Sequence, residues 1–253
     1  MKSGILTLDL GNTTLRGGYW IGRDLKEEWS IPVSGKVLQK ELGGKFRMLR
    51  KEGGAKAAIL ASVVPQRTGT VLSLCRRILK IDCRILSAAT PTGLKILYHD
   101  PEQVGADRIA NAVAAYRLYG APAIVVDFGT AVTFDIISEK FEYLGGVIAP
   151  GLKISTEALF RKAALLPRVR IAVPEQVVGK DTAAAIRSGV YYGIRGLVAG
   201  IINELKKELG WGKGTKLIAT GGHAEMILSG GRLIQTIDPL LTLKGLFLIA
   251  KKL

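Results

Sequence analysis

The sequence has almost no material for a transition-metal centre. It carries two histidines, His99 and His223, and two cysteines, Cys75 and Cys83, the latter without CxxC spacing. Such centres need three or four ligands of this kind brought together. The scarcity of cysteine also excludes a disulfide framework, and both thiols fit a reduced, cytoplasmic interior. No apolar run is long enough to cross a bilayer: the best stretch, 190–202, is interrupted by Arg195, two tyrosines and three glycines, so no membrane partner is expected. The N-terminal apolar run is broken by Asp9, which argues against a secretory leader. Two widespread nucleotide-binding motifs, GxxxxGK[ST] and GxGxxG, are missing.

What is present is a globular composition. The 253 residues are 48% hydrophobic and 23% charged, which suits one large α/β unit or two domains sharing a cleft. The net charge of +15 can attract nucleic acid or steer an anionic substrate. The basic residues Lys36, Lys40, Lys45, Arg47, Arg50 and Lys51 alternate with Glu41, Glu52 and apolar positions. That pattern is the solvated side of an amphipathic helix. With no stacking aromatics and no helix-turn-helix signature, nucleic acid is not expected as a partner.

The pattern of elements is mixed. Residues 5–10 and 14–21 read as strands, 57–63 as a buried strand, and 70–79 as a helix. A polar, Lys-rich helix precedes that buried strand. An alanine-rich helix falls within 101–120, stopped by Gly120 and Pro122. Two strands follow at 123–127 and 131–137, then a loop punctuated by Gly145-Gly146 and Pro150-Gly151. A long helix is expected from an Asp181 N-cap to Leu209, ended by Gly210. Lys216–Ala219 reads as a strand, Thr220-Gly221-Gly222 as a turn, and a last helix closes the chain. Strands alternating with helices indicate an α/β protein.

One feature repeats. Asp9-Leu10-Gly11-Asn12-Thr13 and Asp127-Phe128-Gly129-Thr130-Ala131 share an Asp-X-Gly-polar-small pattern, each between two strands and about half the chain apart. Repetition of this kind implies a duplicated fold, whereas each turn taken alone suits an ordinary Asp/Gly turn between strands. A glycine between strands lets backbone N–H groups approach an anion, and Thr13, Thr14 and Thr130 add hydroxyl donors. A bare aspartate beside phosphate repels it, so the carboxylate is useful there only when it holds a cation.

Taken with Gly105-Ala106-Asp107-Arg108, Gly145-Gly146-Val147-Ile148-Ala149-Pro150-Gly151, Thr220-Gly221-Gly222 and Leu243-Lys244-Gly245-Leu246, these turns resemble type III pantothenate kinase. That family belongs to the acetate kinase, sugar kinase, Hsp70 and actin superfamily. The resemblance implies a duplicated ribonuclease H-like, actin-like ATPase fold, with halves at 1–115 and 116–253 flanking a nucleotide cleft. It implies phosphorylation of pantothenate by ATP with Mg2+ and a monovalent cation, K+ or NH4+. Asp9, Leu10, Gly11, Asn12, Thr13, Thr14, Leu15 and Arg16 would bind ATP, with Asp9 near the magnesium and Thr130 also touching ATP. Asp127 would hold the monovalent cation. Tyr98, Gly105, Ala106, Asp107, Arg108 and Thr182 would line the pantothenate site, and Asp107 would be the catalytic base. Its place at a helix start beside Arg108 predicts a carboxylate kept ionised; read by itself, the same position suits a simple N-cap.

The long helix adds Gly189, Gly193, Gly196 and Gly200, spaced four, three and four, on one face. Each costs about 1 kcal/mol relative to alanine, so a close neighbour is expected: a helix–sheet contact within the chain, or a second copy in a homodimer, as in the family resembled. Rival readings are a sugar or acetate kinase or a polyphosphate phosphatase on the same fold, and a transcriptional regulator.

Overall fold

The computed structural model describes residues 4–162, 166–229, 231 and 233–252. In chain order the elements are β1 (Gly4–Leu10), β2 (Thr14–Ile21), β3 (Asp24–Pro32), α1 (Gly35–Lys51), β4 (Ala57–Ser62), α2 (Pro65–Leu74, continued by a π turn at Cys75–Leu79), β5 (Cys83–Ile85) and β6 (Lys95–Ile96). They continue as α3 (Ala106–Tyr119), β7 (Ala123–Phe128), β8 (Ala131–Ile137), β9 (Glu142–Pro150), α4 (Leu152–Lys162), α5 (Thr182–Leu209), β10 (Lys216–Thr220), α6 (Ala224–Leu228), β11 (Thr236–Ile237) and α7 (Leu241–Ala250). The chain divides into two compact units: Met1–Leu118 with Phe141–Tyr143 and Leu240–Leu253, and Tyr119–Lys140 with Leu144–Pro239.

The first unit is built on a sheet of order β3-β2-β1-β4-β5, in which β1 runs antiparallel to β2 and parallel to β4. Leu6, Leu8, Leu10 and Leu15 form a core with Leu38, Leu42, Phe46 and Leu49 of α1. Those four positions follow the helical period, which makes α1 amphipathic; Lys36, Lys40 and Lys51 are exposed, while Lys45 is half-buried and paired with Glu27 of β3. The C-terminal helix returns to this unit, where Phe247 stacks on Trp20 with ring centroids 4.5 Å apart.

The second unit repeats the arrangement. Its sheet runs β11-β10-β7-β8-β9, with β7 antiparallel to β8 and parallel to β10. In both units the central strand ends in an Asp-X-Gly turn to its antiparallel neighbour. This is the duplicated ribonuclease H-like, actin-like ATPase fold implied by the sequence. Ile124, Val126, Phe128 and Ala219 pack on one side of the sheet with Ile186, Val190, Ile194 and Val198 of α5. Helix α5 has the expected ends: Asp181 accepts from the Ala184 N–H at 2.7 Å, and Gly210 takes the left-handed conformation at φ +65°.

Three stretches differ from the sequence reading. Gly145-Gly146 lies inside β9 rather than in a loop, because the strand accommodates glycines that would mark a turn elsewhere. Residues 24–32 form β3, an edge strand in which half-buried Leu25, Glu27 and Trp29 and buried Ile31 alternate with exposed positions, among them Asp24, Lys26 and Glu28. Helix α2 also starts earlier than expected, at Pro65, a residue whose fixed φ suits the first helical turn.

Candidate active site

Three groups of residues, two in the first unit and one in the second, gather most of the positions singled out above. In the first, β1 delivers Asp9 to the sheet end, and the hairpin is closed by the Gly11 N–H donating to the Thr14 carbonyl at 3.0 Å. Asp9 and Arg16 are register partners, so their side chains leave the sheet on the same face. Asn12 and Thr13 are exposed at the tip, and Gly11 and Thr14 are half-buried. Leu10 and Leu15 are fully buried in the core, which leaves only their backbone for a ligand. One hard carboxylate at Asp9 fits a magnesium ion that takes its other oxygens from phosphate and water. Among the described residues, no three His, Cys, Asp or Glu side chains gather into a metal-holding cluster.

The Asp107 group stands at the start of α3. The helix opens with Ile109 donating to the Gly105 carbonyl at 3.1 Å, so Asp107 lies inside the first turn rather than at the cap. Its Oδ1 accepts from the Arg108 N–H at 2.8 Å. A Cβ on Gly105 would stand 2.5 Å from that oxygen. Burial raises the Asp107 pKa, outweighing the Arg108 N–H bond, the Arg108 charge and Asp107's own N–H, which lower it. Desolvation therefore outweighs the helix end, and Asp107 is less firmly ionised than its place beside Arg108 implies.

Arg108 is buried at 7% exposure, and its guanidinium lies 5.8 Å from the centroid of the Tyr143 ring. Tyr98 meets the same ring, with centroids 6.3 Å apart and planes tilted by 57°. Fully buried Tyr143 thus joins Tyr98 to Arg108. Sequence reasoning missed it because it opens β9, in the stretch next to the expected loop. Helix α7 supports α3 from behind. Thr242 donates to Asn111 Oδ1 at 2.8 Å, and a Cβ on Gly245 would come within 2.6 Å of the Ala110 carbonyl carbon.

In the second unit, β7 carries half-buried Asp127 to the sheet end, with Thr133 and Thr220 as its register partners on β8 and β10. Thr220 is 1% exposed, and its hydroxyl has no hydrogen-bond partner among the described residues. The next residue, Gly221, takes φ +91°; a Cβ there would collide with Asp127 Oδ1 and stand 2.6 Å from the Phe128 carbonyl carbon. The Phe128 carbonyl accepts from the His223 N–H at 3.3 Å, with His223 Nδ1 also at 3.3 Å from it. His223 was read only as a poor metal ligand; its place after a Thr-Gly-Gly turn was the available signal. Gly151 packs on the backbone of the Asp127 turn, where a Cβ would lie 2.9 Å from the Gly129 carbonyl oxygen. One carboxylate beside a buried, unsatisfied hydroxyl fits a hard cation of low charge. Thr130 is exposed beside this turn, and Thr182 is exposed in the first turn of α5.

The glycines of α5 stand apart from these groups. Gly189, Gly193, Gly196 and Gly200 are all exposed, and a Cβ on any of them would meet nothing within 4 Å among the described residues. Beside Gly196 and Gly200 runs a groove of about 400 Å³ lined by Val147, Leu197, Ile201 and Leu205, with Glu204 and Glu208.

Residues 5–204 match the family of type III pantothenate kinases. A type III pantothenate kinase of Moorella thermoacetica is 43% identical over 253 residues, covering 98% of this chain and 99% of that protein. Among solved structures, a Campylobacter jejuni protein assigned to the Baf family of transcriptional activators superposes with a TM-score of 0.62 at 22% identity, covering 98% of each chain. The ethanolamine utilization protein EutJ of Carboxydothermus hydrogenoformans gives a TM-score of 0.51 at 14% identity, covering 98% of this chain and 90% of that one. At those identities the structural likeness speaks for the fold alone.

Proposed function

The chain belongs to the type III pantothenate kinase family, and on that footing we propose that it transfers the γ-phosphoryl group of ATP to the primary hydroxyl of pantothenate. The products are phosphopantothenate and ADP, in the first step of coenzyme A synthesis. The observation that supports this most directly is the full-length identity of 43% to a pantothenate kinase. The Gly105-Ala106-Asp107-Arg108 turn agrees with it by holding one carboxylate in a fixed place.

The residues then take these roles. The backbone and hydroxyls of Asp9 to Arg16, with Thr130, receive the phosphates of ATP. Magnesium held at Asp9 would supply positive charge against the phosphate oxygens. Asp127 holds a monovalent cation, K+ or NH4+. Tyr98, Gly105 to Arg108 and Thr182 line the pantothenate. Asp107 accepts the hydroxyl proton as the new O–P bond forms and the bond to ADP breaks. A pKa raised by burial makes it a better base than a solvated aspartate. Positioning and charge neutralisation supply most of the acceleration, as is general for phosphoryl transfer.

The reading includes a homodimer, formed by the glycine face of α5, and a cytoplasmic setting. A second copy is the occupant chosen because four exposed glycines on one helix face allow two backbones to approach closely. The test is mass spectrometry of reactions containing Mg-ATP, KCl and one acceptor each: pantothenate, a hexose or acetate. A phosphorylated product from pantothenate alone is expected. A product from hexose or acetate, and none from pantothenate, would refute the substrate while leaving the fold.

A further inference from the structure

We propose that the Thr220 hydroxyl is a second protein ligand, beside the Asp127 carboxylate, for the monovalent cation. The inference rests on the reading of Asp127 as the cation's carboxylate and extends it to a residue outside the motif positions named for that role.

Three observations converge on Thr220. First, its hydroxyl is buried to 1% exposure without a hydrogen-bond partner among the described residues. A buried, unsatisfied hydroxyl is destabilising, and valine would fill the same volume without that cost. A hydroxyl kept there is explained by a ligand that uses it. Second, Thr220 and Asp127 are register partners on adjacent parallel strands, so both side chains leave the sheet on one face. The other face is the apolar core containing Val126, Phe128 and Ala219. Third, the backbone turns away directly after Thr220. Gly221, at φ +91°, has no side chain where a Cβ would strike Asp127 Oδ1. The backbone that follows Thr220 therefore packs directly against the Asp127 carboxylate, which fixes the hydroxyl and the carboxylate side by side.

The chemistry selects the class of ion. One carboxylate and one neutral hydroxyl carry a single negative charge between them. A divalent ion in an all-protein site takes several carboxylates, whereas a monovalent ion is satisfied by one charge and further neutral oxygens. Water and phosphate oxygens can complete such a shell.

The test follows thermal stability rather than turnover. Wild type, Thr220→Val, Thr220→Ser and Asp127→Asn are melted with Mg2+ and a non-hydrolysable ATP analogue. KCl replaces tetramethylammonium chloride at constant ionic strength. Wild type should show a saturable rise in Tm. In Thr220→Val its midpoint should move to about tenfold higher KCl, the factor expected for losing one contact to a charged group, while Thr220→Ser stays near wild type. Without KCl, Thr220→Val should melt no lower than wild type, since it loses an unsatisfied hydroxyl. An unchanged midpoint in Thr220→Val, with the response abolished in Asp127→Asn, overturns the role of Thr220 and leaves Asp127 standing. An unchanged midpoint with weaker binding of the analogue at saturating KCl assigns the hydroxyl to the nucleotide and also overturns it. A wild type without any KCl response overturns the cation site itself, and Thr220 with it.

Discussion

The carboxylate of Asp107 fills the space that a side chain on Gly105 would need: a Cβ there would stand 2.5 Å from Asp107 Oδ1. The glycine is thus a positioning residue for the base. Gly105→Ala should leave the melting temperature near wild type and push the carboxylate aside. A displacement on the order of 1 Å at a reacting group costs roughly 10²-fold, so kcat should fall by about that factor. Steady-state kinetics with both substrates saturating checks it, and an unchanged kcat would remove Gly105 from the site.

Asp107 itself gives two linked expectations. Asp107→Asn should lower kcat by a factor of roughly 10²–10⁴, the range for loss of a positioned base, with ATP affinity little changed. In the wild type, burial raises the folded pKa above the unfolded value. The stability contributed by that proton is therefore complete below the unfolded pKa and is lost as pH rises through the folded one. The Asn variant does not titrate, so at neutral pH it should melt at or above the wild-type temperature, and the gap should close on acidification. The acid limb of kcat/KM should likewise lie above the ordinary carboxylate range. A role confined to the first turn of α3 predicts near-normal turnover from the Asn variant, which would end the assignment as base.

The glycine face of α5 can be tested by size. Gly193→Leu places a large side chain where two copies are proposed to meet, and overpacking costs about 1–3 kcal/mol. Sedimentation should give a dimer for wild type and a monomer or aggregate for the variant. A wild type that sediments as a monomer at assay concentration contradicts the interface.

Helix α7 offers a stability test. Gly245 lies so close to Ala110 that a Cβ would come within 2.6 Å of its carbonyl carbon, and backbone cannot swing away as a side-chain tip can. Gly245→Val should cost about 1–3 kcal/mol or more and lower kcat as well, because α3 also carries Asp107. Chemical denaturation measures the first effect, and an unaltered midpoint would show that the helices separate freely.

Much of this was legible in the sequence because the signals were local. The Asp9 and Asp127 turns, the Asp181 cap and the Gly210 stop are each written in a few adjacent residues, and all lie where expected. Strand β3 was hidden because an edge strand in water carries charges on alternate positions, which resembles a polar helix in composition. Tyr143 was hidden for another reason: its partners Tyr98 and Arg108 lie 45 and 35 positions away, and only the folded unit brings the rings together. Thr220 could be read as part of a turn. That its hydroxyl is buried and unsatisfied depends on the packing of β10, which local sequence does not reveal. The pKa of Asp107 was misjudged on the same ground, since charge and helix end are local whereas desolvation comes from the whole fold.

The central claim is tested most directly by ADP release from purified protein in Mg-ATP and KCl, measured with and without pantothenate. The account predicts release that depends on pantothenate, saturates with it and is lost in Asp107→Asn. Release at the same rate without pantothenate, or none with it, would contradict the account.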